Sequence, residues 1–138
     1  WKGENVSTME VEGVLQPIKG IVECTVYGVE VGKQEGRAGM TALQMAEGAD
    51  LKELLAEAAH RFTSNLASYA IPLFIRVCKE LDKTGTYKLR KTDLQKDGFD
   101  LAKLNSDPIF FFNAAEKQYV PLTPDLQRQI NSGEYTRL

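Results

Sequence analysis

Alternating apolar and polar positions predict a β-hairpin in the first third of the chain. Residues 21–31 alternate as a strand does, and Val22, Cys24 and Val26 share one predicted face. Residues 37–45 predict a second strand, and only a short glycine-containing turn separates the two. A connection of that length joins antiparallel strands, because parallel strands need a longer crossover.

Three further apolar segments complete the predicted sheet. Residues 71–78 predict a strand entered through Pro72, and residues 119–122 are expected to pair with a strand at 109–112. The strand at 109–112 contains three consecutive phenylalanines, Phe110–Phe112. Because neighbouring side chains of a strand point to opposite faces, one or two of these rings must be covered by a helix or by a further domain.

Two capping signals predict helices on either side of the hairpin. Ser7 and Glu10 form a capping box, in which each side chain can accept a hydrogen bond from the other residue's backbone N–H. The apolar stripe of the helix that follows includes Met9. Asp50 is a good N-cap for residues 51–62, whose apolar side chains recur at helical spacing and form one continuous face.

Shorter helices are predicted near Thr92 and at 126–130, the second after an N-cap at Thr123. Strands and helices therefore alternate irregularly with short loops. The predicted fold class is α+β, a small, mostly antiparallel sheet of about three central strands plus a hairpin, flanked by helices. With 138 residues, the chain has the length of one domain.

Composition and charge exclude several classes of protein. The chain has 17 Lys and Arg against 19 Asp and Glu, a formal charge of −2, which argues against a general nucleic-acid binder. No apolar run approaches the roughly 18–20 residues of a membrane-spanning helix. Cys24 and Cys78 lie in apolar segments without a CxxC spacing, so we interpret both as reduced core residues.

A complete active site is not visible in the sequence. His60 is the only histidine, and it lies beside the apolar stripe of the predicted 51–62 helix. A boundary position is the simpler interpretation, because a general base needs a positioned partner. The sequence contains no HExxH motif or Cys/His cluster for a metal, and neither GxxxxGK[ST] nor GxGxxG for a phosphate.

Two polar segments remain as candidates for chemistry. In residues 1–7, Gly3 can let the backbone approach a ligand, with Glu4 and Asn5 beside it, although a plain connection into the following helix explains the segment as well. Residues 76–96 carry seven positive and three negative side chains, Arg76 among the positive ones. Such a segment suits a ligand with a phosphate or carboxylate group, and a solvated charged face is the alternative.

Taken in order, these segments resemble the C-terminal domain of the adenylate-forming acyl-CoA synthetases, in particular the very-long-chain acyl-CoA synthetase and fatty acid transport protein family. The resemblance covers essentially the whole chain, and Ile71 stands where that family usually has Arg. The segments that carry it are WKGENVSTMEVEGVL (1–15), VYGVEVGKQEGRAGMTAL (26–43), SYAIPLFIRV (68–77), LDKTGTYKLRKTDLQKDGFD (81–100), DPIFFF (107–112) and YVPLT (119–123).

The resemblance implies two half-reactions in the complete enzyme. A carboxylate attacks the α-phosphorus of ATP, with Mg²⁺, and the C-terminal domain then swings so that the CoA thiol can displace AMP. Lys88 matches the family lysine that reaches the carboxylate and phosphate. Lys91 is the fallback, because two residues separate Lys88 from Gly85 where many relatives have none. Arg90 and Lys91 are also candidates to face the phosphates.

The second half-reaction implies a role for the glycine loop. Gly3 matches the loop that lines the pantetheine channel, where a side chain would block the thiol, and Glu4 and Asn5 flank it. By the resemblance, residues 1–138 are one C-terminal (lid) domain of a longer protein, whose large N-terminal AMP-binding domain holds the nucleotide and acyl pockets. Alone, the domain is expected to be inactive and to bind none of ATP, AMP, Mg²⁺ and CoA.

The expected partners are this N-terminal domain, a fatty acid and CoA, and no nucleic acid. A different function class stays open, a non-catalytic module that docks on a protein or an anionic membrane surface through the basic 76–96 segment and Phe110–Phe112. We expect the protein in the cytoplasm or peripherally at the cytoplasmic face of a membrane. Reduced cysteines favour that compartment, and the chain shows no signal peptide or membrane-spanning segment.

Overall fold

The computed structural model describes residues 1, 3–32, 34–79, 91–104, 107–135 and 138. Within these residues the chain forms four α-helices, five β-strands and two short 3₁₀ turns. In chain order the elements are α1 (Thr8–Leu15), β1 (Ile21–Val29), β2 (Ala38–Met45), α2 (Leu51–Asn65), a 3₁₀ turn (Ser68–Ala70), β3 (Phe74–Cys78), α3 (Lys91–Asp97), a second 3₁₀ turn (Leu101–Lys103), β4 (Ile109–Asn113), β5 (Gln118–Pro121) and α4 (Pro124–Ser132).

The strands form one sheet in the order β1-β2-β3-β4-β5, and every neighbouring pair except β2 and β3 is antiparallel. The parallel pair β2 and β3 is connected through α2, because a parallel connection must carry the chain back along the sheet. The predicted α+β fold with a mostly antiparallel sheet is confirmed, as is the antiparallel hairpin of β1 and β2.

Both faces of the sheet are covered, which explains why β2 and β3 are largely apolar. The face under α1 and α2 buries Val11, Leu15, Leu54, Ala58 and Phe62 of the helices against Cys24, Val26, Leu43 and Ile75 of the strands. The face under α3 and α4 buries Leu94 and Ile130 of the helices against Tyr27, Met40, Phe74 and Phe111 of the strands. A charged side chain in the middle of β3 therefore needs a partner inside the protein.

The three consecutive phenylalanines of β4 divide between the two faces, as strand geometry requires. Phe111 packs with Phe74 and Tyr135 under α3 and α4. Phe110 and Phe112 pack on the opposite face, where Phe112 is buried and Phe110 is partly buried. Elements of this chain therefore cover these phenylalanine rings, which agrees with the first of the two alternatives, coverage by a helix and not by a further domain.

The predicted N-cap residues are confirmed, and of the two bonds of the capping box the structure shows the one that Ser7 accepts. The side chains of Ser7, Asp50 and Thr123 each accept a hydrogen bond from the backbone N–H three residues further on, at 3.1–3.3 Å. Each therefore satisfies a donor that the first turn of its helix leaves unpaired. α4 extends to Ser132, two residues beyond its predicted end, and stops at Gly133, whose φ of +84° lies in the left-handed region.

Two side chains that were expected in apolar stripes lie at the surface instead. Met9 is 80% exposed and Val22 is 54% exposed. Val22 lies where the pairing of β1 with β2 shifts between Ile21 and Glu23. This irregularity interrupts the alternation that placed Val22 on the face of Cys24, so that prediction was wrong. Met9 lies in the first turn of α1, and the buried residues of this helix are Val11 and Leu15.

The third strand begins later than its apolar run. β3 starts at Phe74, whereas the run starts at residue 71. Pro72 has no N–H to give to a ladder, which delays regular pairing. The Leu73 N–H donates to the Gly39 carbonyl at 2.8 Å, and a Cβ atom on Gly39 would lie 3.2 Å from Cα of Pro72. Glycine at position 39 therefore lets β2 and the entry to β3 approach closely.

Two buried tyrosines differ in whether the hydroxyl has a partner. The Tyr119 hydroxyl donates to the Pro72 carbonyl at 2.7 Å and so ties β5 to the entry of β3. The Tyr27 hydroxyl is buried and has no hydrogen-bond partner in the described part of the chain. The two residues thus form a matched pair for measuring what a buried hydroxyl contributes.

We expect Tyr119→Phe to lower the free energy of unfolding by about 1–2 kcal/mol, because a buried hydrogen bond is lost. Tyr27→Phe should leave that free energy unchanged or raise it, because an unpaired hydroxyl no longer has to be desolvated. Urea unfolding of the 138-residue chain measures both variants. Equal losses in the two would contradict this account of the hydroxyls.

Candidate functional site

Gly3, Glu4 and Asn5 form an exposed loop directly before α1. The loop turns through a hydrogen bond from the Glu4 N–H to the Trp1 carbonyl, at 2.9 Å. Gly3 has a φ of +80°, which residues with a side chain rarely adopt. The Ser7 cap then starts the helix, so the loop is held at the N-terminal end of α1.

Backbone conformation, and not crowding within this domain, accounts for glycine at position 3. A Cβ atom built on Gly3 would meet no heavy atom within 4 Å. The family resemblance explains this glycine differently, by a channel that a side chain would block. Any such contact would have to come from atoms outside the described residues, so the channel role of Gly3 stays a prediction.

Glu4 and Asn5 border a cavity of about 220 Å³ between the loop and the first two strands. Tyr27 and Arg37 also line this cavity. The structure therefore brings two of the three predicted loop residues together at a concave surface. Arg37 adds a positive charge there that the sequence did not single out.

The candidate cations lie mostly beyond what the structure describes. Lys88 and Arg90 fall outside the described residues, and of Lys91 only the backbone is described, as the first residue of α3. Their predicted roles therefore stay predictions. β3 ends at Cys78 and α3 begins at Lys91, so the segment that contains Lys88 connects these two elements.

Arg76 does not belong to an exposed basic face, and that part of the sequence interpretation was wrong. Its side chain is fully buried in the middle of β3. Nη1 lies 3.0 Å from Oδ2 of Asp97, and Nε donates to Oδ2 of Asp107 at 2.9 Å. Nη2 lies 2.9 Å from the same Asp107 oxygen, in ion-pair contact although not aligned as a hydrogen bond. Two carboxylates pair with this buried guanidinium, which is therefore not available to bind an external ligand.

Burial controls the titration of the groups around this ion cluster. It raises the pKa of the Cys78 thiol to about 12 and also raises the pKa of the Tyr27 hydroxyl, while nearby Arg76 acts in the opposite direction on both. Burial alone would lower the pKa of Arg76, but the bonds to Asp97 and Asp107 outweigh it, so this pKa is raised. At neutral pH the guanidinium is therefore charged and its thiol and phenol neighbours are neutral.

A second cavity, of about 550 Å³, lies beside α3. Arg37, Lys96 and Lys103 contribute positive charges to its lining, and Glu30, Asp97 and Asp100 contribute negative ones. Because both signs are present, its charge does not select an anionic ligand.

The remaining candidate residues, two cysteines and one histidine, show no arrangement that indicates catalysis or metal binding. Cys24 and Cys78 are buried and neither forms a disulfide, as predicted for core residues, and His60 is exposed on α2. Among the described residues, no three His, Cys, Asp or Glu side chains are grouped as a metal site would require. The described helices include none with the length and apolar character to cross a membrane.

A five-stranded sheet with helices on both faces is the fold of a known class of domain. The structure of ATP-bound MatB from Rhodopseudomonas palustris shares it over 72% of this chain and 19% of that chain, with a TM-score of 0.61 and 23% sequence identity. This shared fold agrees with the predicted fold class. At this identity the likeness concerns the fold alone.

Sequence comparison identifies the family. Residues 10–88 match the family described as the AMP-binding enzyme C-terminal domain, and this chain belongs to that family. The match leaves out Gly3, Glu4 and Asn5, and it ends at Lys88.

Two curated relatives extend the similarity to nearly the whole chain. Long-chain fatty acid transport protein 6 of Mus musculus is 43% identical over 136 residues, which is 97% of this chain and 21% of that protein. The medium/long-chain-fatty-acid–CoA ligase FadD6 of Mycobacterium tuberculosis is 37% identical over 136 residues, 96% of this chain and 22% of that protein. The predicted resemblance is confirmed, and the chain spans about a fifth of the length of these relatives.

Proposed function

We propose that this chain is the C-terminal domain of a fatty acyl-CoA synthetase that activates a long- or very-long-chain fatty acid with ATP and transfers the acyl group to CoA. The observation that carries the proposal is the similarity, along nearly the whole chain, to a protein named as a fatty-acid–CoA ligase and to a long-chain fatty acid transport protein. Because the chain covers about a fifth of these relatives, we assign the nucleotide and acyl pockets to a large N-terminal domain.

Adenylation is the step to which we assign Lys88. A carboxylate oxygen of the fatty acid forms a bond to the α-phosphorus of ATP, and the bond from that phosphorus to the bridging oxygen breaks, so pyrophosphate leaves. Both reactants are anions, and their repulsion opposes the approach. The ammonium of Lys88 would offset that repulsion and stabilise the charge that builds on the phosphoryl oxygens.

Thioester formation is the step to which we assign the Gly3 loop. The sulfur of CoA bonds to the acyl carbon, the bond from that carbon to the AMP oxygen breaks, and the thiol gives up its proton. The thiol must reach the acyl carbon along a narrow approach. An exposed loop with a glycine at its tip suits the wall of such a channel, and Glu4 and Asn5 flank the same wall.

No metal step is assigned to this domain, although the resemblance implies Mg²⁺ for the complete enzyme. The described residues do not fit a resident Mg²⁺, because no three ligating side chains are grouped and Arg76 engages both Asp97 and Asp107. The chain by itself is expected to be inactive. Exchange of pyrophosphate into ATP by the 138-residue chain would count against the proposal.

We also propose that the protein works in the cytoplasm or at the cytoplasmic face of a membrane. Two buried cysteines without a disulfide are typical of a reducing compartment and support this location. A purely non-catalytic docking module has less support than the ligase, because Arg76 is buried and its charge is not available to a partner of the basic 76–96 segment. Salt-dependent binding to anionic vesicles that is lost on neutralising Arg90 and Lys91 would favour the docking function.

Lys88→Ala in the full-length protein is expected to slow adenylation by about 100- to 1000-fold, the usual cost of removing one electrostatic contact to a transition state. Thioester formation from supplied acyl-adenylate should stay nearly unchanged. ATP–pyrophosphate exchange measures the first step, and CoA-thioester release measures the second.

Lys79→Ala is the matched control for this variant. Lys79 is exposed just after β3, so the change removes the same side chain at a nearby position. It should leave both steps unchanged. If Lys91→Ala abolishes adenylation and Lys88→Ala does not, Lys91 takes the assigned role. An unimpaired exchange rate in both variants would refute the assignment.

Gly3→Leu is expected to have the opposite selectivity, slowing thioester formation by about tenfold or more because the side chain narrows the approach of the thiol, while adenylation persists. Gly48→Leu is the control. Gly48 has a φ of +82°, and a Cβ atom at this position, like one at Gly3, would have no heavy atom within 4 Å. The two variants carry the same backbone strain. Equal effects of both on the thioester step would contradict a channel role for Gly3.

A further inference from the structure

The ion cluster around Arg76 joins three parts of the chain that are distant in sequence. Arg76 lies on β3, Asp97 is the last residue of α3, and Asp107 lies just before β4. Arg76 is the one charged residue that is buried among those the structure describes. β3 and α3 are the two elements that the segment with Lys88 connects, so the cluster bridges both ends of that segment.

Stability alone does not account for such a cluster. Removing a guanidinium and two carboxylates from water is costly, and apolar residues of similar volume often replace a buried ion pair without loss of stability. An ion pair supplies direction, which an apolar contact lacks. The planar guanidinium holds its partners at fixed angles through short, charge-assisted bonds.

The position of α3 depends in part on this pairing. The helix has seven residues, too few to be stable by itself in water. Of its described side chains only Leu94 is buried, while Asp97 bonds to Arg76. Phe99, two residues beyond the helix, also stacks on Phe74 of β3, and the directional bond of Asp97 to Arg76 adds a constraint on the rotation of α3 about its axis. Lys88 lies three positions before the first residue of α3.

We propose that Arg76 is a positioning residue, which acts through Asp97 and α3 to set where Lys88 enters the active site during adenylation. The inference rests on the proposed function. Arg76 itself is buried and touches no substrate. Asp107 provides a matched control, because it bonds to the same guanidinium at 2.9 Å and belongs to the segment before β4, not to α3.

The test compares two variants of the full-length protein in the two half-reactions. Asp97→Ala is expected to slow ATP–pyrophosphate exchange by about 10- to 100-fold, the effect of a small misplacement of a reacting group, and to change thioester formation by less than about twofold. Asp107→Ala should lower Tm to a similar extent and leave the ratio of the two rates unchanged. Asp97→Asn, which keeps an oxygen that can accept from Arg76, should recover most of the exchange rate.

Two results would overturn the inference. One is a loss of both half-reactions in equal measure in Asp97→Ala, which indicates a purely structural role. The other is the same selective loss of exchange in Asp107→Ala. If Asp97→Ala does not fold, Asp97→Asn and Asp107→Asn give the same comparison, with the same two contradicting results.

A double variant separates this inference from the proposed function. If Asp97 acts through Lys88, the Asp97→Ala change does not slow exchange further in a protein that already carries Lys88→Ala. A further loss in the double variant would overturn the positioning role and leave the role of Lys88 intact. Normal exchange by Lys88→Ala alone would instead overturn the proposed function of Lys88.

Discussion

A sheet that is covered on both faces shields its central strands from water, so a charged side chain on such a strand must find its partners inside the protein. β3 is the example. Phe74 and Cys78 pack beneath α3 and α4, Ile75 packs beneath α1 and α2, and Arg76 lies among them with its charge. A guanidinium keeps its charge in a protein, and burying it in such surroundings is costly unless carboxylates pair with it. The chain supplies Asp97 and Asp107, so the burial of one arginine fixes a short helix and the entry to β4.

The segments to which we assign chemistry lie outside this framework and are attached to it. The Gly3 loop precedes the capped start of α1, and the Lys88 segment joins β3 to α3. A rigid core with functional residues on its connections suits a domain that presents one group and then another to a neighbouring domain. The two assigned steps would then depend on different connecting segments of the same domain, which is why their rates should respond separately to mutation.

Most of the fold could be predicted from local patterns. The capping side chains Ser7, Asp50 and Thr123 are each followed by apolar spacing typical of a helix, and five apolar segments indicated the five strands. The local pattern does not reveal a shift in strand pairing, and Val22 is therefore exposed against expectation. The parallel pairing of β2 with β3 also could not be predicted from residue spacing, because it depends on how α2 crosses the sheet.

The site was harder to predict than the fold, because its contacts are long-range. Asp97 and Asp107 are 21 and 31 residues from Arg76 in the sequence, and no sequence pattern predicts that their side chains contact it. One signal was available, since a single arginine within the apolar run Phe74–Cys78 indicates a buried, paired charge and not a surface one. The roles of Lys88 and Gly3 come from family resemblance, because a glycine and a lysine in polar loops carry no pattern of their own.

The most direct test of the central claim is a structure of the full-length protein with a bound, unreactive mimic of the acyl-adenylate. The account predicts that Nζ of Lys88 lies within about 3 Å of a carboxylate or phosphate oxygen of that mimic, with this domain closing the pocket of the N-terminal domain. A closed pocket whose phosphate contacts all come from the N-terminal domain would contradict it.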